Sequence, residues 1–478
     1  MGIDFNALAA KAVTAISKKN SASVHKKYAA PAIPQAEPIR FSGGQYICGY
    51  ACKTVMPASV TDSFYAIAGH APGVPMEGVH DPITVSAMWI GCEGGAVLMV
   101  AADIIGLTNT EVRLIRQRLL PFCLETGCKS VNICCSHTHA GFDTVGYWGK
   151  LPLTGKNDAY MAKLFDSICA VCRKAYDNRR PGTLHLGYAH VPDAQHIRSY
   201  PKVYHDTLTR LRFVPADGSA EIWFLNFAAH PNTLGGGNRF VRADYPYYLR
   251  ESIMRQKRAQ VLFGVGAIGA VDPGMYSDDR AERTRLQGEA LAAAALAIDR
   301  EEELKPEMSV LCQPFYYPVD NTVLNFLSML RVMSCDKYPC EKGALQMALK
   351  SEMTLLQFGR LQVLLLPGEL FPALAYGGYR DKNHSAAGKS ESENPEPLTQ
   401  IAGDEELLIF GVTNDMTGYV VPPNEFVLNP NSPYLDSAVD KFGNKHYHET
   451  NSLGLLSAET IAETFRQMVR AMGKKTDS

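Results

Sequence analysis

The sequence predicts an α/β fold, with mixed, largely buried β-sheets flanked by helices, in a single main domain. Three observations predict it. Apolar runs of strand length alternate with helical patterns. The runs are continuous rather than alternating, as expected for strands covered on both faces. Polar residues with useful chemistry recur where the runs end, which is where α/β sheets present side chains to ligands.

The chain opens with a segment that we expect to lie outside this domain. Residues 1 to about 20 are compatible with a short amphipathic helix, and residues 28–40 form a Pro/Ala-rich connector, "YAAPAIPQAEPIR". We therefore predict an N-terminal helical arm and connector over residues 1–40 and the main domain over residues 41–478.

The predicted strands and helices of the domain alternate along the chain. Residues 95–103, "GAVLMVAAD", predict a strand, and residues 110–127 predict a helix. Further strands are predicted in the runs that end at "SHTH" (136–139), in residues 221–230, in 259–274 and in 361–370. A helix is predicted after residue 278, and the last predicted helix carries the sequence "SAETIAETFRQMVRAM".

Composition narrows the class of protein. With 46% hydrophobic residues, 20% charged residues and a net charge of -2, the chain has no polyelectrolyte character, so we expect no nucleic-acid partner. No run of eighteen apolar residues predicts a transmembrane segment, and lysines interrupt the stretch where a secretory signal would be apolar. We therefore expect a cytoplasmic protein whose twelve cysteines are mostly reduced.

His137 and His139 follow an apolar run, and an extended backbone would turn both side chains to one face. Such a pair is either a hydrogen-bonded structural pair or part of a metal site, since neutral imidazoles are good ligands for zinc. Three later apolar runs also end on candidate ligands, namely His230, Glu369 and Tyr419. These four stretches together favour the metal site.

The four stretches, "SHTHAG", "NFAAHPN", "LLLPGEL" and "GYVVPPNEF", occur in the order found in the neutral/alkaline (non-lysosomal) ceramidase family, which the chain resembles from about residue 46 onward. The resemblance implies a Zn²⁺ cofactor held by His137, His230, Glu369 and Tyr419. It makes His139 the acid/base or outer-shell histidine. It also implies a substrate-facing Arg198 in "DAQHIRSYP". Where the family has the tyrosine of "E-E-Y", this chain has Phe426 in "NEF", and we predict that Tyr447 in "HYHETNSLG" takes over the catalytic role of the missing hydroxyl.

The chain departs from the family pattern in residues 267–274, "AIGAVDPG", where an asparagine, an aspartate and a serine of the family are replaced. A serine-nucleophile mechanism therefore finds no support. We expect Asp103 and Asp244 to fix loops through hydrogen bonds. His70 and His80 are expected to make loop hydrogen bonds and are left out of the metal set.

The resemblance implies a zinc-dependent hydrolase that cleaves the amide of a small-molecule or lipid N-acyl compound with metal-activated water. Two alternatives stay open. One is ester or lactone hydrolysis at the same site, because the same chemistry attacks either carbonyl. The other is a non-catalytic relative that binds a metabolite.

Overall fold

A computed structural model describes residues 5–473. The first four residues of the predicted arm and the last five of the predicted domain lie outside this range. The predicted fold class is confirmed: two main sheets, each mixing parallel and antiparallel pairs, are flanked by helices.

Nine α-helices occur within the described residues, and their lengths range from five to 23 residues. Their bounds are α1 Phe5–Lys27, α2 Asn109–Thr126, α3 Asp158–Asp177, α4 Tyr245–Gln256, α5 Arg280–Ala297, α6 Thr322–Met329, α7 Pro372–Tyr376, α8 Leu398–Ala402 and α9 Ser457–Gly473.

The strands, most of them short, are β1 Ile39–Ser42, β2 Tyr46–Thr54, β3 Gly78–Val79, β4 Thr84–Cys92, β5 Gly95–Ala102, β6 Cys128–Cys135, β7 Arg180–His190, β8 Gln195–Ile197, β9 Thr207–Pro215, β10 Glu221–Phe227, β11 Phe240–Val241, β12 Ala259–Val265, β13 Val271–Pro273, β14 Glu301–Leu304, β15 Glu307–Pro318, β16 Lys337–Pro339, β17 Met347–Phe358, β18 Leu361–Leu365, β19 Glu369–Leu370, β20 Leu408–Phe410, β21 Tyr419–Val420, β22 Ala438–Val439 and β23 Lys445–His446.

The larger sheet has nine strands in the order β12-β10-β9-β7-β2-β4-β5-β6, with β14 beside β7. Two of its pairs are parallel, β10 with β12 and β5 with β6. The smaller sheet has six strands in the order β1-β15-β17-β18-β20, with β16 beside β17, and its pair β18–β20 is parallel.

The two sheets stack face to face between layers of helices. One apolar core fills the space between the sheets, a second lies between the larger sheet and helices α2 to α5, and a third lies between the smaller sheet and α9. The run "GAVLMVAA" of β5 shows why the pattern is continuous. Val97 and Met99 enter the core between the sheets, whereas Leu98 and Val100 face the helices.

Local sequence signals set the ends of α2. Thr108 and Glu111 form a capping box at its N-terminus, and Gly127 ends it with a left-handed φ of 74°. The observed helix is therefore within one residue of the predicted one at each end.

The N-terminal segment packs on the smaller sheet's side of the molecule. Helix α1 is 23 residues long, so it extends beyond the predicted end near residue 20. The connector has no regular secondary structure before β1, and it is held by the Tyr316 hydroxyl, which donates to the Pro31 carbonyl at 2.7 Å. The division into arm and domain stays a prediction.

Two buried aspartates hold loops, as expected. Asp103 accepts two hydrogen bonds from Arg250, at 2.9 and 2.7 Å, and one from the Thr84 hydroxyl at 2.8 Å. Asp244 accepts from the backbone N–H of Tyr245, where it caps α4, and from the Thr233 hydroxyl. Ile105, two residues after Asp103, and Asn232, next to Thr233, line the cavity described below.

Among residues 5–473, no helix combines the length and apolar character that a membrane crossing requires.

Candidate functional site

His137 lies two residues beyond the end of β6. Its backbone N–H donates to the Ile104 carbonyl at 3.0 Å, and its ring Nδ1 lies 2.6 Å from the Ile105 carbonyl. The backbone is not extended here, because His137 has a left-handed φ of 62°. The rings of His137 and His139 still line the same cavity, with centroids 4.9 Å apart.

His230 follows β10 in the same manner. Its backbone N–H donates to the Val271 carbonyl at 3.0 Å, and its ring Nδ1 lies 2.9 Å from the same oxygen. Because β12 runs parallel to β10, the segment after β12 returns beside His230 and supplies this carbonyl. The Val271 carbonyl therefore fixes one side of the ring.

Glu369 and Tyr419 face each other in the short parallel pair β19–β21. These strands follow β18 and β20, the parallel pair of the smaller sheet, and the Glu369 N–H donates to the Gly418 carbonyl at 2.9 Å. Gly418 has a φ of +77°, and a Cβ there would lie 1.8 Å from the Asn451 carbonyl oxygen. Only glycine fits at this point, and it sets the position of Tyr419.

The two imidazoles and the carboxylate converge. Glu369 Oε2 lies 2.8 Å from His230 Nε2 and 3.5 Å from His137 Nε2, and all three side chains are buried. A carbonyl can only accept a hydrogen bond, so the Nδ1 atoms that face Ile105 and Val271 carry the protons. In neutral rings the Nε2 lone pairs then point at a carboxylate, and such an arrangement needs a proton or a cation between them. The donor set therefore fits a divalent metal ion.

The close approach of these groups shifts their pKa values. Burial alone would raise the pKa of Glu369, but His137 and His230 hold it well below its usual value. Burial alone would lower the pKa of His230, but the hydrogen bond to Glu369 raises it. Burial, reinforced by the charge of Glu369, raises the pKa of the Tyr419 phenol.

His139 belongs to the same cluster. Possible ligand atoms of His137, His139 and His230 all lie within 4.8 Å of one another. Both ring nitrogens of His139 are buried, and neither has a hydrogen-bond partner within the described part of the chain. Burial, followed by the imidazoles of His137 and His70, lowers the pKa of His139 well below its usual value, so its ring is neutral. It can serve as a third imidazole ligand or as a proton carrier.

Arg198 and Tyr447 also line the cavity. Arg198 pairs with Asp272, and its side chain remains 71% exposed. The Tyr447 ring lies 6.2 Å from that of Tyr419, and burial, then the charges of Asp272 and Glu369, raise its pKa to about 12. All seven candidate residues therefore surround one cavity.

Three further residues that line the cavity were not assigned to the site from the sequence. His70 was assigned to loop hydrogen bonds, yet its ring lies 5.1 Å from that of His139. Asp272 lies inside the stretch 267–274 and holds Arg198, and its position where the family has serine was the available signal. His448 is buried against Tyr419 and Tyr447, with ring centroids 4.7 and 4.0 Å away.

The cavity has a volume of about 1030 Å³ and is large enough for a drug-sized or lipid-like molecule. Its lining includes the histidine cluster. Apolar side chains from α6, from β17 and from the segments that follow β15 and α6 also line it, namely Leu324, Met347, Leu349, Val319 and Met333. The cavity thus offers both ionisable groups and apolar side chains to a bound molecule.

Asp415, which also lines the cavity, is expected to make the stability of the protein depend on pH. Burial raises its pKa from 3.8 to about 7, against the hydrogen bonds that it accepts from the Ser351 hydroxyl and the Asn109 N–H. The folded protein keeps this proton between about pH 4 and pH 7, whereas the unfolded chain releases it, so this group's contribution to stability falls as the pH rises through that window.

We expect Asp415→Asn to remove this dependence, since an amide can keep both contacts. Between pH 5 and pH 8 the wild type should lose roughly 2.5 kcal/mol of unfolding free energy relative to the variant. Urea unfolding of both proteins at the two pH values checks this. A constant difference would mean that Asp415 is already ionised in the folded protein at pH 5.

Two solved structures share the fold. A crystal structure of neutral ceramidase from Pseudomonas aeruginosa matches with a TM-score of 0.68 and 17% identity, over 90% of this chain and 74% of that chain. A structure of a ceramidase complexed with C2 matches with a TM-score of 0.67 and 16% identity, over 90% of this chain and 75% of that one. No family model matches the chain, and a search of curated proteins gives no match. The structural likeness confirms the fold that the motifs implied.

Proposed function

We propose that the chain is a ceramidase-like, zinc-dependent hydrolase that cleaves the amide bond of an N-acyl compound. The observation that carries this proposal is the convergence of His137, His230 and Glu369, a buried donor set that fits a divalent cation. The shared fold with two ceramidases supports the reaction class.

In this proposal His137, His230, Glu369 and Tyr419 hold the zinc ion. When bound, zinc lowers the pKa of a coordinated water toward neutrality and polarises a carbonyl group. The Ile105 and Val271 carbonyls fix the tautomers of the two histidines, so each ring presents Nε2 to the ion. Without a metal, burial and Glu369 favour the protonated form of Tyr419, so binding through the phenolate would require the ion to displace that proton.

The remaining side chains would carry the proton and the developing charge. His139 is neutral and has two free ring nitrogens, which supports a role in delivering a proton to the leaving nitrogen. Arg198 and Tyr447 would donate hydrogen bonds to the oxyanion. Asp272 holds the Arg198 guanidinium in the cavity, which supports a fixed position for that donor.

Two other functions remain compatible with parts of this picture. Ester or lactone hydrolysis needs the same groups, because the same nucleophile attacks either carbonyl. A non-catalytic metabolite-binding relative would explain the altered stretch 267–274 but not the unpaired nitrogens of His139. The substrate class is proposed as N-acyl, either lipid or small and soluble, and the cytoplasmic location stays a prediction.

The test is to purify the protein, quantify its metals, and compare amine release from an N-acyl sphingosine with release from short-chain N-acyl compounds. We expect about one zinc ion per chain and amine release from at least one class. A matched ester measured in parallel distinguishes amide from ester preference. Metal-free protein that cannot be reconstituted with zinc and hydrolyses none of these compounds would refute the proposal.

A further inference from the structure

Helix α1 turns its larger apolar side chains outward. Phe5 is 74% exposed, Leu8 is 60% exposed and Ile16 is 38% exposed. The buried face of the same helix carries only small or short side chains, which are Ala10, Ser17, Ser21 and Val24. A helix that only packed on the domain would show the reverse distribution, with its large apolar residues inside.

Polar anchors hold the buried face in this orientation. The Ser17 hydroxyl donates to the Thr322 carbonyl at 3.0 Å, and the Ser21 hydroxyl donates to the Leu345 carbonyl. His25 lies 2.7 Å from the Gln346 carbonyl. The outward direction of Phe5, Leu8 and Ile16 is therefore fixed by specific contacts.

The same helix is strongly basic. It contains no aspartate or glutamate, and its lysines, together with His25, are all exposed: Lys11, Lys18, Lys19, Lys26 and Lys27. Within residues 5–473, none of these lysines forms an ion pair with a carboxylate. In the first turn of the helix, Asn6 donates to Asp436 at 3.2 Å.

We propose that the outer face of α1 docks on an anionic lipid bilayer surface. Phe5, Leu8 and Ile16 would enter the boundary between headgroups and acyl chains, and the lysines would lie among the anionic headgroups. Nucleic acid would satisfy the lysines but would leave these apolar side chains exposed to water. A symmetric contact with a second copy would bring two basic helices together, which like charge opposes.

The position of α1 gives this docking a consequence for the cavity. Helix α1 packs on α6 and β16, and Lys337 of β16 reaches both Asn20 of α1, at 3.4 Å, and Asn325 of α6, at 2.7 Å. Asn325 and Lys337 also line the cavity. The helix thus lies on the outside of a cavity wall, and docking would hold that wall near the bilayer.

Binding to vesicles tests the proposal without relying on hydrolysis, so its failure is distinct from failure of the proposed function. The probes are vesicles of phosphatidylcholine alone and of phosphatidylcholine mixed with phosphatidylserine, with the bound fraction measured by sedimentation. We expect binding to the mixed vesicles only, weakening as salt rises. Lys18→Glu with Lys19→Glu should reduce the partition coefficient by about thirtyfold or more. Phe5→Ser with Leu8→Ser should reduce it by about tenfold or more.

Matched controls make the same changes elsewhere on the surface. Lys53→Glu with Lys129→Glu reverses two other exposed lysines, and Leu124→Ser removes a side chain that is 76% exposed on α2. Both controls should bind as the wild type does. Equal loss in controls and test variants, equal binding to both vesicle types, or tighter binding to duplex DNA than to the mixed vesicles would overturn the proposal. Circular dichroism of each variant establishes that it is folded.

Discussion

His137→Ala and Glu369→Ala are each expected to lose the bound zinc ion and, with it, amide hydrolysis. Each change removes one of the groups that converge at Glu369 Oε2, where the distances to His230 and His137 are 2.8 and 3.5 Å. Because the proposed nucleophile depends on the ion, turnover should fall on the order of a thousandfold or more. Metal analysis of the purified variants and amine release under saturating substrate measure the two effects.

The matched control is His190→Ala, which removes a histidine whose side chain is 75% exposed and which is paired with Asp206 away from the cavity. It should retain both metal and activity. Glu369→Gln keeps the shape of the side chain and removes its charge, so it separates loss of packing from loss of a ligand. Full metal content and normal turnover in both ligand variants would end the metal assignment.

The second large effect is expected for His139→Asn, which should keep the zinc ion but slow hydrolysis by about a hundredfold to ten-thousandfold. The neutral ring of His139 has no partner within the described residues for either nitrogen, which suits a group that moves a proton. Zinc content, kcat and its pH profile measure the outcome.

A loss of zinc equal to that of His137→Ala would instead make His139 a ligand, as the 4.8 Å cluster of three histidines allows. His70→Asn is the control for packing, because it removes the ring that contacts His139 without removing the proposed proton carrier. If both variants slowed the reaction equally and kept the metal, disturbed packing would account for the result.

Much of the fold was predictable because the signals were local. The apolar run of β5 and the capping residues of α2 depend only on nearby sequence, and both elements were predicted within one or two residues. The layered arrangement was not predictable in the same way. Antiparallel strands such as β15 and β17, separated by α6 and β16, pair over eleven positions, and no local pattern specifies which sheet they join.

The candidate site was likewise predictable only where the signals were local. The four proposed ligands, His137, His230, Glu369 and Tyr419, were chosen because they follow predicted strands. In the structure all four line one cavity, and their roles remain proposals. The left-handed backbone of His137 was not predicted, because it depends on the carbonyls of Ile104 and Ile105 in a neighbouring loop. The contact of His70 with His139 likewise depends on how a distant loop folds over the cavity.

Two of the four proposed ligands lie beyond the strand ends of the larger sheet, and the other two lie in the pair β19–β21 that continues from the smaller sheet. His137 and His230 follow strands of the larger sheet, whereas Glu369 and Tyr419 follow the parallel pair of the smaller sheet. An ion bound by all four would therefore link the larger sheet to the smaller sheet. Its binding energy would oppose any motion that slides one sheet over the other. The metal would therefore stabilise the folded protein as well as take part in the reaction.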